Sequence, residues 1–305
     1  HGRPATVGLD AGLGGRPIGR MRQLPLVFLN GPWKLAMGLG TLDPADWLWR
    51  DERFAAETAE RAALVAARPE EVHALLPEAE PPARELLAMV TGHLERDHGT
   101  HVRPELGASP LLGLVPLAQE DFCLMQRRAD GAYALTGALL CFPAHWRLKE
   151  KLGRPLAEIH APVPGFNERL GGPADRFFRG LAAERPVWRA NWSVVESPAL
   201  FHPQPREPLP GLSAEDAGEL LWLRVERQTL RRLPQTGAVV FTIRTLVRRL
   251  GSVVAERGVA AALAARVREM DEGMAAYKGI PALRGPLLAY VDAVAAAKET
   301  PAEVA

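Results

Sequence analysis

The chain has 305 residues, with 37 lysines and arginines against 36 aspartates and glutamates, and 47% of its residues are hydrophobic. This balance excludes an acidic disordered chain, a fibre and a strongly basic nucleic-acid coat protein, because each of these departs from globular composition in charge or in apolar content. Its two cysteines, Cys123 and Cys141, are too few for an iron–sulfur cluster or a four-thiolate zinc site, and such low cysteine usage favours the reducing cytoplasm. No run reaches the roughly 18 apolar residues of a membrane span, so we expect no membrane partner.

The sequence divides into a short lead-in and one large domain. Residues 1–20 are rich in glycine and arginine and are expected to be a flexible lead-in, followed by a single domain over 21–305. Asp43 offers an N-cap before a proline at the first helical position, which predicts a helical N-terminal part over about 42–98. Between 51 and 96 the acids exceed the arginines by five, which is typical of a solvated helical face.

From about residue 121 the pattern changes to β-strands. Two β-prone runs, 122–128 and 133–142, flank an Asp-Gly pair at 130–131, which is a strong hairpin turn signal. The two cysteines either face one another across this hairpin or are buried inert thiols, and we prefer the second interpretation. Short helices are predicted next, over 145–152 and 174–184.

A second hairpin is predicted over 221–232 and 238–248, after a proline-rich loop at 197–210. Alanine-rich helices then form a C-terminal part over about 252–300. Strands and helices occur in separate runs and do not alternate as in βαβ units. The sequence therefore predicts an α+β fold, with an antiparallel sheet flanked by helices.

Common cofactor and catalytic motifs are missing from the sequence. The glycines near the start do not form a dinucleotide fingerprint, because Pro17 occupies its third position. The sequence has no phosphate loop, no Gly-x-Ser-x-Gly elbow and no His-Glu-x-x-His pair. His93, His98 and His101 lie close together, but their spacing crosses Gly99 and a predicted helix end. We therefore prefer a surface turn to a metal site there.

The second hairpin carries an unusual charge. Over 221–250, seven arginines accompany a single acid, Glu226. Strand alternation places Arg227 and Arg231 on one face and Arg224 on the other. A buried guanidinium needs an anionic partner, and few acids lie nearby in the sequence, so a bound carboxylate or phosphate is expected. Nucleic acid is disfavoured, because the basic residues are confined to one hairpin and the whole chain is nearly neutral.

His160 is the other feature of interest. It follows the apolar Ile159 at a predicted helix exit and precedes Pro162 and Pro164, whose fixed φ angles make a stiff loop. Such a backbone can hold an imidazole pointing into a cavity. Spacing alone does not make His160 a ligand, and a satisfied structural histidine is the plainer interpretation.

Five strings carry a resemblance to a known family. They are KLAMGL at 34–39, LDPADWL at 42–48, IHAPVPG at 159–165, RANWS at 189–193 and LRVERQTLRRLP at 223–234. In one register from about residue 31 to about 277, the chain resembles the haem-dependent oxidative N-demethylase family. Phe166 is a departure, because tyrosine is expected to be common there, and any role of a phenol hydroxyl is lost.

The resemblance implies a PAS-like α+β fold that binds haem b with its iron. It implies O2-dependent removal of a methyl group from a small secondary amine such as dimethylamine, with release of formaldehyde. It also implies electron-donating partner subunits with flavin and iron–sulfur centres, which agrees with the shortage of cysteines. The alternative is a non-catalytic PAS-like haem-binding sensor or redox module, because a fold does not fix a function. The number of chains in the assembly is left open.

The resemblance also gives roles to residues that bind the cofactor. His160 is expected to be the axial ligand of the iron, because neutral imidazole is a common donor to haem. Arginines of the second hairpin are expected to pair with the two haem propionates or to line the pocket. These arginines are Arg224, Arg227, Arg231 and Arg244.

Three further residues are expected to act on the substrate. Glu226 is expected either to hold a cationic dialkylammonium substrate or merely to neutralise Arg224 or Arg244, and both interpretations stay open. Asn191 and Gln228 are expected to orient the substrate or oxygen.

Overall fold

The centre of the fold is an antiparallel sheet. In the computed structural model, the described residues are 24–101, 108–206 and 209–299, and the predicted lead-in, residues 1–20, lies outside them. Within these ranges the sheet has seven strands in the order β1-β5-β6-β7-β3-β4-β2, and helices flank it, so the predicted α+β class is confirmed. The strands are β1 (Gly40–Thr41), β2 (His73–Leu75), β3 (Asp121–Arg127), β4 (Tyr133–Leu139), β5 (Val187–Val195), β6 (Trp222–Arg232) and β7 (Val239–Arg249).

The second predicted hairpin forms the middle of this sheet. Strands β6 and β7 have 11 residues each and stay in register along their length. Leu233 N donates to Ala238 O over 2.8 Å, and Gly237 closes the turn at a φ of 73° that favours glycine. Strand β5, which pairs with the other edge of β6, was not predicted. Its mixture of tryptophan, arginine and asparagine lacks a clear apolar alternation.

The first predicted hairpin is also confirmed. Strands β3 and β4 pair antiparallel, and the Asp130 carboxylate accepts a hydrogen bond from Ala132 N at 3.0 Å within the turn. Cys123 pairs with Ala138 and is therefore not opposite Cys141. Both are free buried thiols, as preferred. Burial raises the pKa of both, that of Cys141 to about 12, so neither forms a reactive thiolate.

The helices cluster before and after the sheet strands. Among the described residues they are α1 (Phe54–Ala67), α2 (Pro69–Val72), α3 (Glu80–His98), α4 (Leu148–Lys151), α5 (Leu156–Ile159), α6 (Gly172–Gly180), α7 (Ala217–Leu220), α8 (Leu250–Val254), α9 (Val259–Glu269), α10 (Glu272–Tyr277) and α11 (Ile280–Glu299). Of the predicted helix over 145–152, only α4 forms. Helix α6 follows a π-helical turn at Asn167–Gly171.

The N-terminal part contains helices α1, α2 and α3, a short 3₁₀ turn and one strand. Asp43 caps a short 3₁₀ turn, and its carboxylate accepts from Ala45 N over 3.0 Å. Helix α3 ends at His98, with Gly99 in the left-handed region at a φ of 62°. The short strand β2 interrupts this part and pairs with β4, a contact that only the tertiary fold determines.

Three apolar clusters hold the layers together. The N-terminal helices pack on one face of the sheet, with Trp47, Leu86 and Phe122 in one buried cluster. The C-terminal helices bury a second cluster. The opposite face of the sheet packs against α4–α6, and that cluster contains Leu156 of α5 together with Leu230 of β6. The segment that leads to His160 therefore lies on this opposite face.

Helix α11 is apolar along much of its length. Residues 280–298 form one described helix that could cross a membrane by length and composition alone. Core helices pass the same test, and Ile280, Leu287 and Val291 are buried in the C-terminal cluster. A single helix of this kind is therefore a weak indication of a membrane span.

Candidate functional site

His160 lies at the end of α5, and hydrogen bonding orients its ring. Its Nδ1 lies 2.9 Å from the carbonyl oxygen of Leu156, which can only accept, so Nδ1 carries the proton and the neutral ring keeps its lone pair on Nε2. The ring stacks on Phe166, with the centroids 4.2 Å apart and the planes 12° from parallel. Burial is the main cause that lowers the pKa of His160, and the charges of Lys151 and Arg189 lower it further. His160 is therefore a neutral imidazole near pH 7.

The expected substrate residues come together on the same face of the sheet. Asn191 of β5 lies directly opposite Glu226 of β6, and Arg189 lies opposite Gln228. Gln228 Nε2 donates to Glu226 Oε2 over 3.1 Å, and Arg224 Nε lies 3.5 Å from Glu226 Oε1. Of the two expected roles of Glu226, neutralisation of Arg224 is therefore supported by a direct contact between the two side chains.

Arg189 interacts electrostatically with both Glu226 and His160. It is close enough to His160 to lower its pKa, and Glu226 in turn acts to raise the pKa of Arg189. Burial nevertheless lowers the pKa of Arg189 overall. Its Nε is buried and has no hydrogen-bond partner among the described residues. Sequence reasoning missed Arg189 although two-residue alternation from Asn191 could have found it.

Lys278 reaches the same group from the turn between α10 and α11. Its Nζ donates to Asn191 Oδ1 over 3.1 Å and to the carbonyl oxygen of Trp192 over 2.6 Å. Burial lowers the pKa of Lys278 to about 8, against the opposing charge of Glu226. No sequence signal pointed to Lys278, because it lies 87 residues from Asn191 along the chain.

Arg224 is buried on the His160 side, and backbone carbonyls surround it. Its Nη2 donates to Phe142 O over 2.6 Å and its Nη1 to Leu200 O over 3.3 Å, in addition to the contact with Glu226. Its guanidinium thus ties β6 to the loops that follow β4 and β5.

Arg227 and Arg244 lie on the opposite face, where the helical N-terminal part supplies their partners. Arg227 Nη2 lies 3.3 Å from Asp46 Oδ2. Arg244 Nη2 lies 2.6 Å from Asp51 Oδ2, and its Nη1 lies 2.9 Å from Glu57 Oε2. The expectation that these arginines lack acids was therefore wrong, because the acids are distant in sequence and adjacent in space. Their charge does not call for an external anion.

Arg231 lies on that same face. Its guanidinium carbon is 4.5 Å from the centroid of a Trp47 ring, an arrangement typical of a cation–π contact. Burial lowers the pKa of Arg231, and the nearby Arg96 lowers it further. Of the four arginines expected to bind propionates, only Arg224 shares the face of Glu226 and His160.

The three neighbouring histidines, His93, His98 and His101, lie in different environments. His93 is buried, its Nδ1 lies 2.7 Å from Asp97 Oδ2, and burial lowers its pKa to about 4. His101 is 92% exposed. The preferred surface turn is therefore right for His101 and wrong for His93, which belongs to the core. A group that does bring ligand atoms together is His145, Glu196 and His202.

A cavity of about 420 Å³ opens on another part of the molecule. Its lining includes Trp146, Arg68 and Phe201, and it contains none of the predicted site residues. The polar group around Glu226 and His160 is therefore the better candidate site, because it combines buried charges with an oriented imidazole.

Comparison with known protein families gives one match over most of the chain. A family model described as haem-dependent oxidative N-demethylase, alpha subunit-like, matches residues 38–105 and 99–288. The two matches together span 38–288. His160, Arg189, Glu226 and Lys278 all fall within them.

Proposed function

The chain belongs to the haem-dependent oxidative N-demethylase, alpha subunit-like family, and from that premise we propose that it demethylates a small secondary amine such as dimethylamine, using O2 and external electrons and releasing formaldehyde. The family name makes it an oxidoreductase chain, and "alpha subunit-like" implies partner subunits. We propose that these partners carry flavin and iron–sulfur centres, that the cofactor is haem b, and that the assembly works in the cytoplasm.

The orientation of the His160 ring is the main observation that supports this proposal. Its Nδ1 is committed to Leu156 O, so the Nε2 lone pair is available as an axial donor to haem iron. The Phe166 ring stacked on it restricts its rotation. When bound, the haem would supply the oxidative chemistry, while the chain supplies binding, orientation and electrostatics.

The charges around Glu226 support an anionic cofactor. Three basic side chains, those of Arg189, Arg224 and Lys278, interact electrostatically with Glu226, the one carboxylate that these three share. The excess of positive charge suits the anionic propionates of a haem. We therefore propose that Arg189, whose Nε lacks a partner among the described residues, binds a propionate, with Arg224 beside it.

Gln228 and Glu226 suit an amine. Gln228 uses its amide nitrogen to hold Glu226 Oε2, so its amide oxygen is available to accept a hydrogen bond from an amine N–H. Lys278 Nζ donates to Asn191 Oδ1, which restricts the rotation of that amide, and Asn191 pairs with Glu226 across the strands. We propose that Glu226, Gln228 and Asn191 orient the amine.

The proposed scaffold is a single domain over 21–305 of PAS-like type. Supporting it are the antiparallel sheet and the helices that cover its faces.

The direct test is to purify the chain, record its absorption spectrum, and then add dimethylamine, O2 and a reductase system. We expect a haem spectrum and stoichiometric formaldehyde. Haem without formaldehyde from any methylated amine, with electron delivery verified, would contradict catalysis and favour a sensor or redox module. A chain that does not take up haem would overturn the whole proposal.

A further inference from the structure

A second group of chemically active side chains lies outside the proposed haem site. His145, Glu196 and His202 each offer one ligand atom, and these atoms lie within 4.8 Å of one another. His145 follows β4, whereas Glu196 and His202 belong to the loop after β5. We propose that these three residues bind a divalent metal ion, zinc by preference, as three of its ligands.

The first reason to expect a metal ion is that the three ligand atoms lack hydrogen-bond partners. His145 Nε2, Glu196 Oε1 and His202 Nε2 are all buried and lack a hydrogen-bond partner among the described residues. A buried polar atom without a partner costs about 1–3 kcal/mol, and three in one place is unusual. One metal ion would satisfy all three atoms.

The outer contacts of these residues are those of metal ligands. His145 Nδ1 donates to Gln204 O over 2.9 Å, so the lone pair of the neutral ring is on Nε2. Arg206 Nη1 lies 3.7 Å from Glu196 Oε2, which leaves Oε1 toward the imidazoles. Ligating histidines and carboxylates in metal sites are commonly held by such second contacts.

The backbone brings the two histidines together. His145 N donates to His202 O over 2.7 Å, and His202 N donates to Pro143 O over 3.1 Å. His145 adopts a φ of 59°, a left-handed conformation that few residues other than glycine take. Such a conformation costs of order 1–3 kcal/mol and is found at sites where function needs it. Here it aims the imidazole at His202, whose ring centroid is 4.7 Å away.

The donor set favours zinc. Two imidazoles and one carboxylate with an open position are a known zinc ligand set. Zinc bonds of about 2.0–2.1 Å place tetrahedral ligand atoms about 3.4 Å apart, and His202 Nε2 already lies 3.6 Å from Glu196 Oε1. Ferrous iron takes the same donors, so the metals must be compared directly.

The test is a titration of the full chain as purified, treated with a chelator to remove loosely bound metal ions, with Zn²⁺ and, under anaerobic conditions, with Fe²⁺. We expect one equivalent of Zn²⁺ to bind, more tightly than Fe²⁺. His202→Ala and His145→Asn should each weaken zinc binding at least tenfold, and asparagine tolerates the left-handed backbone of His145. The exposed His101 gives the matched control, His101→Ala, with unchanged affinity.

Two results would overturn the metal site. One is the absence of stoichiometric zinc binding to a folded chain, and the other is binding that His145→Asn and His202→Ala leave unchanged. Fe²⁺ binding more tightly than Zn²⁺ would overturn the choice of zinc. Should either histidine variant fail to fold, Glu196→Gln keeps the side-chain shape and should still weaken binding. His160→Ala, which removes the proposed haem ligand, should leave zinc affinity intact, so the two proposals fail separately.

Discussion

At the scale of single residues, the site depends on side chains whose partners determine what they can do. His160 is neutral and oriented because Leu156 O accepts its only proton. Arg189, which is partly buried, and Lys278, which is buried, are cations on the same side of the sheet as Glu226. The sequence pointed to His160, Asn191, Glu226 and Gln228 through the resemblance. It did not point to Lys278, because nothing local marks a residue that reaches across the fold.

The first prediction concerns the arginine that binds a propionate. Arg189→Gln should weaken haem binding by about tenfold or more, since a hydrogen bond to a charged group contributes about 1.5–3 kcal/mol. The measurement is a haem titration followed by the absorption change. Arg227→Gln is the matched control and should keep its haem affinity, because Arg227 binds Asp46 on the other face. Equal losses in the two variants would contradict the assignment.

The second prediction is a pH dependence from Lys278. Its pKa in the folded chain is about 8, below the value of about 10.4 for an unfolded lysine. Between these values the unfolded chain binds one more proton at Lys278, so this residue alone should make the free energy of unfolding rise with pH, by up to about 3 kcal/mol. The buried thiols Cys123 and Cys141 act in the opposite direction over the same range, so the quantity to measure is the difference from Lys278→Met. In urea unfolding, the free energies of unfolding of the wild type and of Lys149→Met, an exposed lysine, should both rise with pH relative to that of Lys278→Met. A difference that stays constant across the range would refute the prediction.

At the scale of elements, the two hairpins and the main helices follow from local patterns, whereas the minor strands do not. Strands β6 and β7 have 11 residues each, β7 is rich in β-branched residues, and Gly237 closes their turn. Strands β1 and β2 have two and three residues. They form only through antiparallel pairing with β5 and β4, respectively. Sequence separation also hid the partners of the arginine-rich hairpin. Asp51 and Glu57 lie almost 200 residues before Arg244 and yet pair with it.

The third prediction tests that pairing. Arg244 and Glu57 are almost fully buried, and removal of one member of a buried ion pair costs about 3–5 kcal/mol. Arg244→Met should therefore lower the free energy of unfolding by about that amount, measured with urea. The triple variant Arg244→Met, Asp51→Asn, Glu57→Gln should recover a large part of the loss. Lack of recovery would show that the loss arises from packing and not from unpaired charge.

At the scale of the whole molecule, the net charge of +1 is the sum of two opposed regions. The acidic helical part lies on one face of the arginine-rich hairpin and neutralises Arg227 and Arg244. Composition alone suggested an unmatched hairpin in need of an external anion. In the tertiary structure, the excess of positive charge lies on the other face, where Arg189, Arg224 and Lys278 interact with Glu226.

The central claim is that this other face binds haem through His160, and the most direct measurement is the ferrous–CO difference spectrum of His160→Gly. We predict that the variant loses the wild-type spectrum and that added imidazole restores it, because imidazole can replace the missing side chain as axial donor. His202→Ala, a histidine outside the proposed haem site, should keep the wild-type spectrum. An unchanged spectrum in His160→Gly without imidazole would contradict the claim.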